Sequence, residues 1–334
     1  MLYGFCMELN GVSKKKERLD VYRPLPPELV RNLEEWFLVE LTYTSNALEG
    51  NTLSRKETAA VVEKGLTVGG KTLIEHLEAT NHAKALKDVL RLSQTPIGEL
   101  RLVDVLQIHE TVLRGIDDDN AGHFRTIPVR ISGSPVILPN PLKVPNMMEA
   151  FIEWVVTSTN LHPVELAAEA HYQLVTIHPF VDGNGRTARL LMNLILIQNG
   201  YPPAIIRTRD RLKYIGGLEK AQLSGSKGGY NKVIEDAVDR SLDIYLKAAA
   251  GEVADTDSGR APDLLRIGQL ARETGESNAT IRYWTKEGLL SVADTTDSGY
   301  QLYHPGMIQR AAKIRELQGQ RFTLSEIKGR LDKE

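Results

Sequence analysis

The consecutive residues His178-Pro179-Phe180-Val181-Asp182-Gly183-Asn184-Gly185-Arg186-Thr187-Ala188-Arg189 concentrate groups that handle phosphate. An imidazole titrates near about pH 6.5 and accepts a proton at neutral pH, so His178 is a candidate general base. The Asp182 carboxylate can hold a divalent cation that bridges phosphate oxygens. Pro179 cannot continue a helix, and Gly183 and Gly185 permit a tight turn with exposed amides. A helix restarting near Asn184 turns its first N–H groups back into that turn, an arrangement that binds phosphate. Arg186 and Arg189, three apart, share a face of its first turn. A base, a metal carboxylate, an amide nest and two cations suit phosphoryl-type chemistry, which depends on positioning and charge stabilisation.

Other readings of the same residues fit less well. The chain has no G-x-x-x-x-G-K-[ST] loop, and no βαβ unit surrounds the glycines. His162, His171 and His178 are not spaced to converge as zinc ligands, so His171 reads as structural and Phe180 as a core anchor.

The stretch resembles, at every position, the Fic family signature H-P-F-x-[D/E]-G-N-[G/K]-R-x-x-R. The resemblance implies transfer of AMP from ATP to a Tyr, Ser or Thr hydroxyl of a target protein, releasing pyrophosphate. It assigns His178 as the base and Asp182 as the Mg²⁺ ligand. Gly183, Asn184 and Gly185 would cradle the phosphates with Arg186, and Arg189 would hold the γ-phosphate. The family's Gly-x-x-Arg is matched by Gly122-His123-Phe124-Arg125. Tyr214, Leu218 and Gln222 share a helix face at i, i+4 and i+8; the resemblance makes them an adenine wall, and a plain core stripe fits the spacing as well.

A second signal precedes the first. Thr44-Ser45-Asn46-Ala47-Leu48-Glu49-Gly50 resembles the family's inhibitory motif, [S/T]-x-x-x-E-[G/N], with Ser45, Glu49 and Gly50 in place. Taken alone, Glu49 reads as a solvated helix carboxylate. Arg189 offers it a partner, because a carboxylate and a guanidinium make a strong pair. Such a pair would take the γ-phosphate's anchor. The same glutamate could orient water and remove AMP instead.

The third signal lies in residues 264–331, which resemble the MerR-type winged helix-turn-helix. Ile267-Gly268-Gln269-Leu270-Ala271, Thr280-Ile281-Arg282-Tyr283-Trp284, Glu287-Gly288-Leu289-Leu290 and Gly299-Tyr300 carry the match. The resemblance implies that Arg282 and Tyr283 contact double-stranded DNA and that a wing near Ser298–Tyr300 touches phosphates. Gln301 stands where that family usually has Arg. Residues 262–334 hold 11 Lys+Arg against 10 Asp+Glu, a thin surplus for a duplex surface. Docking or homodimerisation on the same fold is the alternative, and a DNA-binding regulator using the first module as a nucleotide sensor is a further reading of the whole.

These groups need elements to hold them, and the apolar spacing supplies mostly helices. Helices are expected from Pro27, after Ser54 with Glu57 completing a capping box, over Thr72–Leu92, Leu102–Leu113 and Val164–Ile177, after Gly183, and over Arg209–Leu223 and Tyr230–Leu246. Ile127–Val144 departs from the pattern: β-branched residues flank Ser132-Gly133-Ser134-Pro135, which predicts a β-hairpin lying across a cleft. In the resembled family this hairpin is the flap that receives the target segment by strand addition. Ile267–Thr274 and Thr280–Glu287 predict the helix-turn-helix, followed by Pro305–Gln318 and Leu324–Leu331. The expected fold is mainly α: an N-terminal helical region (1–95), a helical core with a β-hairpin flap (96–247), a linker rich in Ala, Gly, Asp and Ser (248–263), and a winged-helix domain (264–334).

Bulk properties exclude other classes. The formal charge is −2, which demands no anionic partner. The sole cysteine, Cys6, allows no disulfide within the chain, consistent with a reducing, cytoplasmic setting. The N-terminal stretch lacks the layout of a signal peptide. The apolar run Leu190–Ile197 is far too short to span a membrane, so no membrane partner is expected.

Overall fold

The computed structural model describes residues 9–158, 160–251, 264–295, 301–320, 322 and 324–331. It divides into two units, Met1–Val253 and Ala254–Glu334.

The first unit is built from ten α-helices among its described residues: α1 (Asn10–Asp20), α2 (Pro27–Leu48), α3 (Arg55–Lys64), α4 (Leu73–Leu92), α5 (Leu102–Leu113), α6 (Val144–Thr157), α7 (Pro163–Ile177), α8 (Asn184–Gln198), α9 (Arg211–Ser224) and α10 (Gly228–Ala249). Local chemistry sets several starts. Ser54 Oγ accepts from the Glu57 amide at 3.3 Å while Glu57 accepts from the Ser54 amide at 2.7 Å. Thr72 and Glu75 repeat the exchange ahead of α4. Each such cap is worth about 1 kcal/mol. Helices α1 and α6 lie outside those the apolar spacing singled out.

Helix α8 is the centre. Leu190 through Leu196 are all buried, because this stretch is apolar on every side except at Asn193 and the helix packs against α7, α4, α5 and α2. One hydrophobic core runs from Leu9 to Leu246, so the N-terminal helices and the helices around α8 share it. Any displacement of α2 is therefore felt at α8.

The expected β-hairpin is corrected. Residues 127–143 contain no strand; they reverse direction around Ser132 and Gly133 with a single turn bond, Ser134 N–H to Ile131 O at 3.1 Å. Pro128, Pro135, Pro139 and Pro141 lack the amide donors that a ladder needs. Arg125 closes the base of this flap instead, donating to Ile127 O at 3.2 Å and Pro139 O at 2.6 Å.

The second unit has α11 (Ile267–Thr274), α12 (Asn278–Lys286), α13 (Gly306–Gly319) and α14 (Leu324–Leu331), with a small sheet of β1 (Leu265–Arg266), β2 (Asp294–Thr295) and β3 (Gln301–Tyr303). The strand order is β1-β3-β2, both pairings antiparallel. Trp284 and Tyr303 are fully buried in its own core. Ser277 caps α12 by accepting from the Thr280 amide at 3.0 Å. The wing tip expected at Ser298–Tyr300 and most of the expected linker, 252–263, lie outside the described residues.

Candidate active site

Helices α7 and α8 flank the loop that carries the candidate base. His178 ends α7 with φ 50° and ψ 61°, the only non-glycine residue with positive φ among those described. That conformation costs roughly 1–2 kcal/mol. It is held from outside: Arg125 donates from Nε to His178 O at 2.8 Å and from its backbone to Pro179 O at 2.9 Å. The His178 Nδ1 lies 3.3 Å from Val175 O, and a carbonyl only accepts, so Nδ1 carries the proton and Nε2 keeps its lone pair. Burial holds this imidazole below its ordinary pKa, so it is neutral at pH 7.

The loop is tied down by two groups. Asn184 Oδ1 accepts from the Phe180 amide and its Nδ2 donates to Phe180 O, both at 3.0 Å. The Asn184 side chain thus locks the loop, leaving its backbone amide for a ligand. His109 on α5 stacks on Phe180 with ring centres 3.5 Å apart. Its Nδ1 accepts from the Gly122 amide at 3.0 Å, so its Nε2 donates to Asp182 O at 3.0 Å. Burial lowers its pKa to about 4, so the ring stays neutral in this role. Gly183 is required here, since a Cβ there would lie 3.2 Å from that ring at φ 75°.

Both arginines are engaged. Arg186 is buried and donates from Nη1 to Glu78 at 3.0 Å and from Nη2 to Asp182 at 2.9 Å. Arg189 is buried too: Nε donates to Ser45 Oγ at 2.9 Å, and Nη2 to Ser45 O at 3.0 Å and to Glu49 Oε1 at 2.6 Å. Glu49 Oε1 lies directly over Gly185, in the space a Cβ would need. The carboxylate therefore occupies the anion seat at the start of α8. Arg211 Nε donates to Leu48 O at 2.9 Å and fixes the end of α2 that presents Glu49.

Behind Arg189 runs a buried polar chain. Tyr230 OH donates to Ala168 O at 2.8 Å, so it accepts from His171 Nδ1 at 2.9 Å; His171 Nε2 then accepts from Tyr214 OH at 2.8 Å. Arg189 Nη1 reaches Tyr214 OH at 3.5 Å. Tyr214 is thus engaged in positioning Arg189. Leu218 packs against the main core, and Gln222 donates to Thr176 Oγ1 at 3.2 Å near the end of α7. The face of α9 carrying these three residues runs from Arg189 toward His178.

Asp182 suits a magnesium ion delivered with a nucleotide. Its side chain is 64% exposed and one oxygen is engaged, by Arg186. Mg²⁺ keeps several waters and needs only one or two carboxylates beside substrate phosphates.

Structure thus brings His178, Asp182, Gly183, Gly185, Arg186, Arg189, Ser45 and Glu49 to the start of α8. Sequence reasoning missed His109 and Glu78, which carry no local signature, and the clamp made by Arg125. Arg282 and Tyr283 lie in the second unit, both exposed on α12, while Gln301 Oε1 accepts from Tyr303 OH at 2.9 Å.

Comparison with known proteins bears on the family of this chain. Residues 99–196 match the Fic/DOC family, and residues 265–334 match the MerR HTH family regulatory protein model. The chain is similar to the protein adenylyltransferase Fic of Nematostella vectensis, at 36% identity over 240 residues, covering 71% of this chain and 55% of that protein. It spans about half the length of the curated relatives it matches. Among solved structures, a Fic-domain-containing signaling protein from Bacteroides thetaiotaomicron matches with TM-score 0.67 and 28% identity, over 72% of this chain and 97% of that one. Fic-1 from C. elegans matches with TM-score 0.62 and 32% identity, over 72% of each chain. With that last relative aligned over most of both chains, and the signature loop folded around the start of α8, the chain belongs to the Fic family.

Proposed function

We propose that the chain is a protein adenylyltransferase that moves AMP from ATP to a hydroxyl of a target protein, restrained by its own Glu49. The observation that carries this is the Glu49 carboxylate over Gly185, 2.6 Å from Arg189, beside a neutral His178.

The chemistry follows from the chain's own groups. His178 Nε2 takes the proton of the attacking hydroxyl. The hydroxyl oxygen bonds to the α-phosphorus, the bond from that phosphorus to the β-bridging oxygen breaks, and pyrophosphate leaves. The first amides of α8 and Arg186 stabilise the charge on the phosphates, and Arg189 anchors the γ-phosphate. Magnesium, held by Asp182, would neutralise phosphate charge.

Glu49 competes for the γ-phosphate position. Without that anchor the α-phosphate is not aligned for attack. The pair is half-screened, because Glu49 is 40% exposed, so relief lies within reach of a modest rearrangement. The exposed flap residues Ile127, Ile137 and Leu142 suit docking of an extended target segment. The test is mass spectrometry of the Glu49→Gly protein with each nucleoside triphosphate and Mg²⁺. Addition of one AMP from ATP is the expected result; an unchanged mass with all four would overturn the reading.

A second direction is supported by the same glutamate. Glu49 presents a partly exposed carboxylate to the seat, where it can orient water toward an AMP ester. An AMP-modified target that loses AMP only when Glu49 is intact would establish removal as the dominant activity. For the second unit, exposed Arg282 and Tyr283 on α12 support binding to double-stranded DNA. Salt-dependent anisotropy changes with labelled duplex, lost in Arg282→Ala, test it against a role in self-association.

A further inference from the structure

Away from the start of α8, the first unit contains a cavity of about 160 Å³. Its apolar wall is formed by Phe37 and Leu41 of α2, Leu86 and Leu90 of α4, and Ile197 of α8. An apolar cavity of about 150 Å³ is enough for a single benzene-sized ring. The mouth is charged in both signs, by Arg23 and Glu34. Arg23 is fixed there, with Nη2 donating to Gly200 O at 2.6 Å and Nε lying 3.5 Å from Asp20 Oδ1. Tyr245 also lines the cavity, its hydroxyl pushed up to about 12 mainly by burial, with Glu34 raising and Arg23 lowering it. Both charges therefore line the same cavity as this hydroxyl.

The cavity also shares walls with the catalytic machinery. Leu41 and Leu86 line it on one side and, on the other, a small void bounded by Ser45, His82 and Arg189. Helix α2 carries Phe37 and Leu41 on this wall and Ser45 and Glu49 at its far end. A ligand here touches the helix that delivers the inhibitory carboxylate.

We propose that this cavity is a regulatory site for a free α-amino acid with a branched or single-ring apolar side chain. The side chain fills the apolar wall, the carboxylate pairs with Arg23, and the ammonium pairs with Glu34. Occupancy favours the arrangement in which α2 holds Glu49 on Arg189, because any shift of α2 that frees Glu49 reshapes the cavity. This last effect rests on the inhibitory reading of Glu49 given above; the binding does not.

Calorimetry on the full chain tests the site, using L-phenylalanine and L-leucine beside phenylacetate and phenethylamine, each of which keeps half of the charged head. One or both amino acids should bind, and each half-head analogue should bind at least about ten-fold more weakly, since each loses one charge-assisted contact. Arg23→Gln and Glu34→Gln, which leave the apolar wall intact, should each weaken binding similarly. Leu38→Trp, which fills the cavity from α2, should abolish it in protein that retains its circular dichroism. No binding by either amino acid, equal binding of the half-head analogues, or undiminished binding by both charge variants overturns the site. In the second arm, the bound amino acid should slow wild-type auto-modification several-fold and leave Glu49→Gly unaffected. Equal slowing of both proteins, or of neither, overturns the coupling through α2. If Glu49→Gly transfers no AMP at all, the transferase reading fails while calorimetry still decides the site.

Discussion

Glu49 and Arg189 meet at 2.6 Å across 140 residues of sequence, one at the end of α2 and the other in the first turns of α8. The pair is held from both sides: Arg211 fixes the α2 terminus, and Ser45 takes two further hydrogen bonds from Arg189. Replacing Glu49 by glycine removes the competing carboxylate and leaves these supports in place. Auto-modification should rise about ten- to a hundred-fold, the equivalent of one charge-assisted contact. Radiolabel incorporation from ATP measures it. A rate equal to wild type would show that Glu49 does not restrain the reaction.

His178 should govern the acid limb of the rate. Burial lowers its pKa, so the neutral base persists as pH falls below the ordinary imidazole value of about 6.5 and is lost only as pH passes through the lowered value. In a Glu49→Gly background, kcat/KM against pH should show an acid midpoint below about 6.5. His178→Ala should abolish transfer while nucleotide binding persists, which separates loss of the base from collapse of the seat.

Arg125 should matter beyond its distance from the phosphates. Its side chain gives three carbonyls their hydrogen bonds, those of Ile127, Pro139 and His178, and so joins the flap to the base. Arg125→Ala should lower kcat/KM at least ten-fold. It should also lower the unfolding midpoint by several degrees, since each buried group left unsatisfied costs about 1–3 kcal/mol. Arg125→Lys, with a single ammonium, should recover part of both. Scanning fluorimetry alongside kinetics checks the pair of effects.

Acid should destabilise the first unit through its buried histidines. Burial lowers His82 and His171 to about 3 and His109 to about 4. Above about pH 6.5 folded and unfolded chains bind the same number of protons at these sites, so no penalty arises. As pH falls below that, only the unfolded chain takes up protons, and stability drops until the folded values are reached. At pH 5 each ring costs about 2 kcal/mol. Urea unfolding between pH 7 and pH 5 should show this loss, and His82→Gln should reduce its slope.

Much of this could be read before any coordinates, because the informative features are local. The loop from His178 to Arg189 is contiguous, and a capping box such as Ser54 with Glu57 lies within one turn. The hairpin expectation rests on β-branched residues flanking Ser132-Gly133-Ser134-Pro135, and it gives too little weight to four prolines that cannot donate to a ladder. His109 was invisible for a different reason: its role depends on Phe180 and Asp182, which only the fold brings to α5. Glu78 likewise meets Arg186 through tertiary contact, 108 residues apart. Side chains that steady a site from a distant helix leave no spacing to detect.

Helix α2 belongs to the same hydrophobic core as α8. Restraint by Glu49, as proposed above, would therefore be unimolecular. Its effective concentration is fixed by covalent connection and does not fall when the protein is diluted or rise when it is abundant. A cell cannot lift such a restraint by lowering the amount of an inhibitor, as it can with a separate inhibitory subunit. Release must come from something that competes at Arg189 or that moves α2 itself.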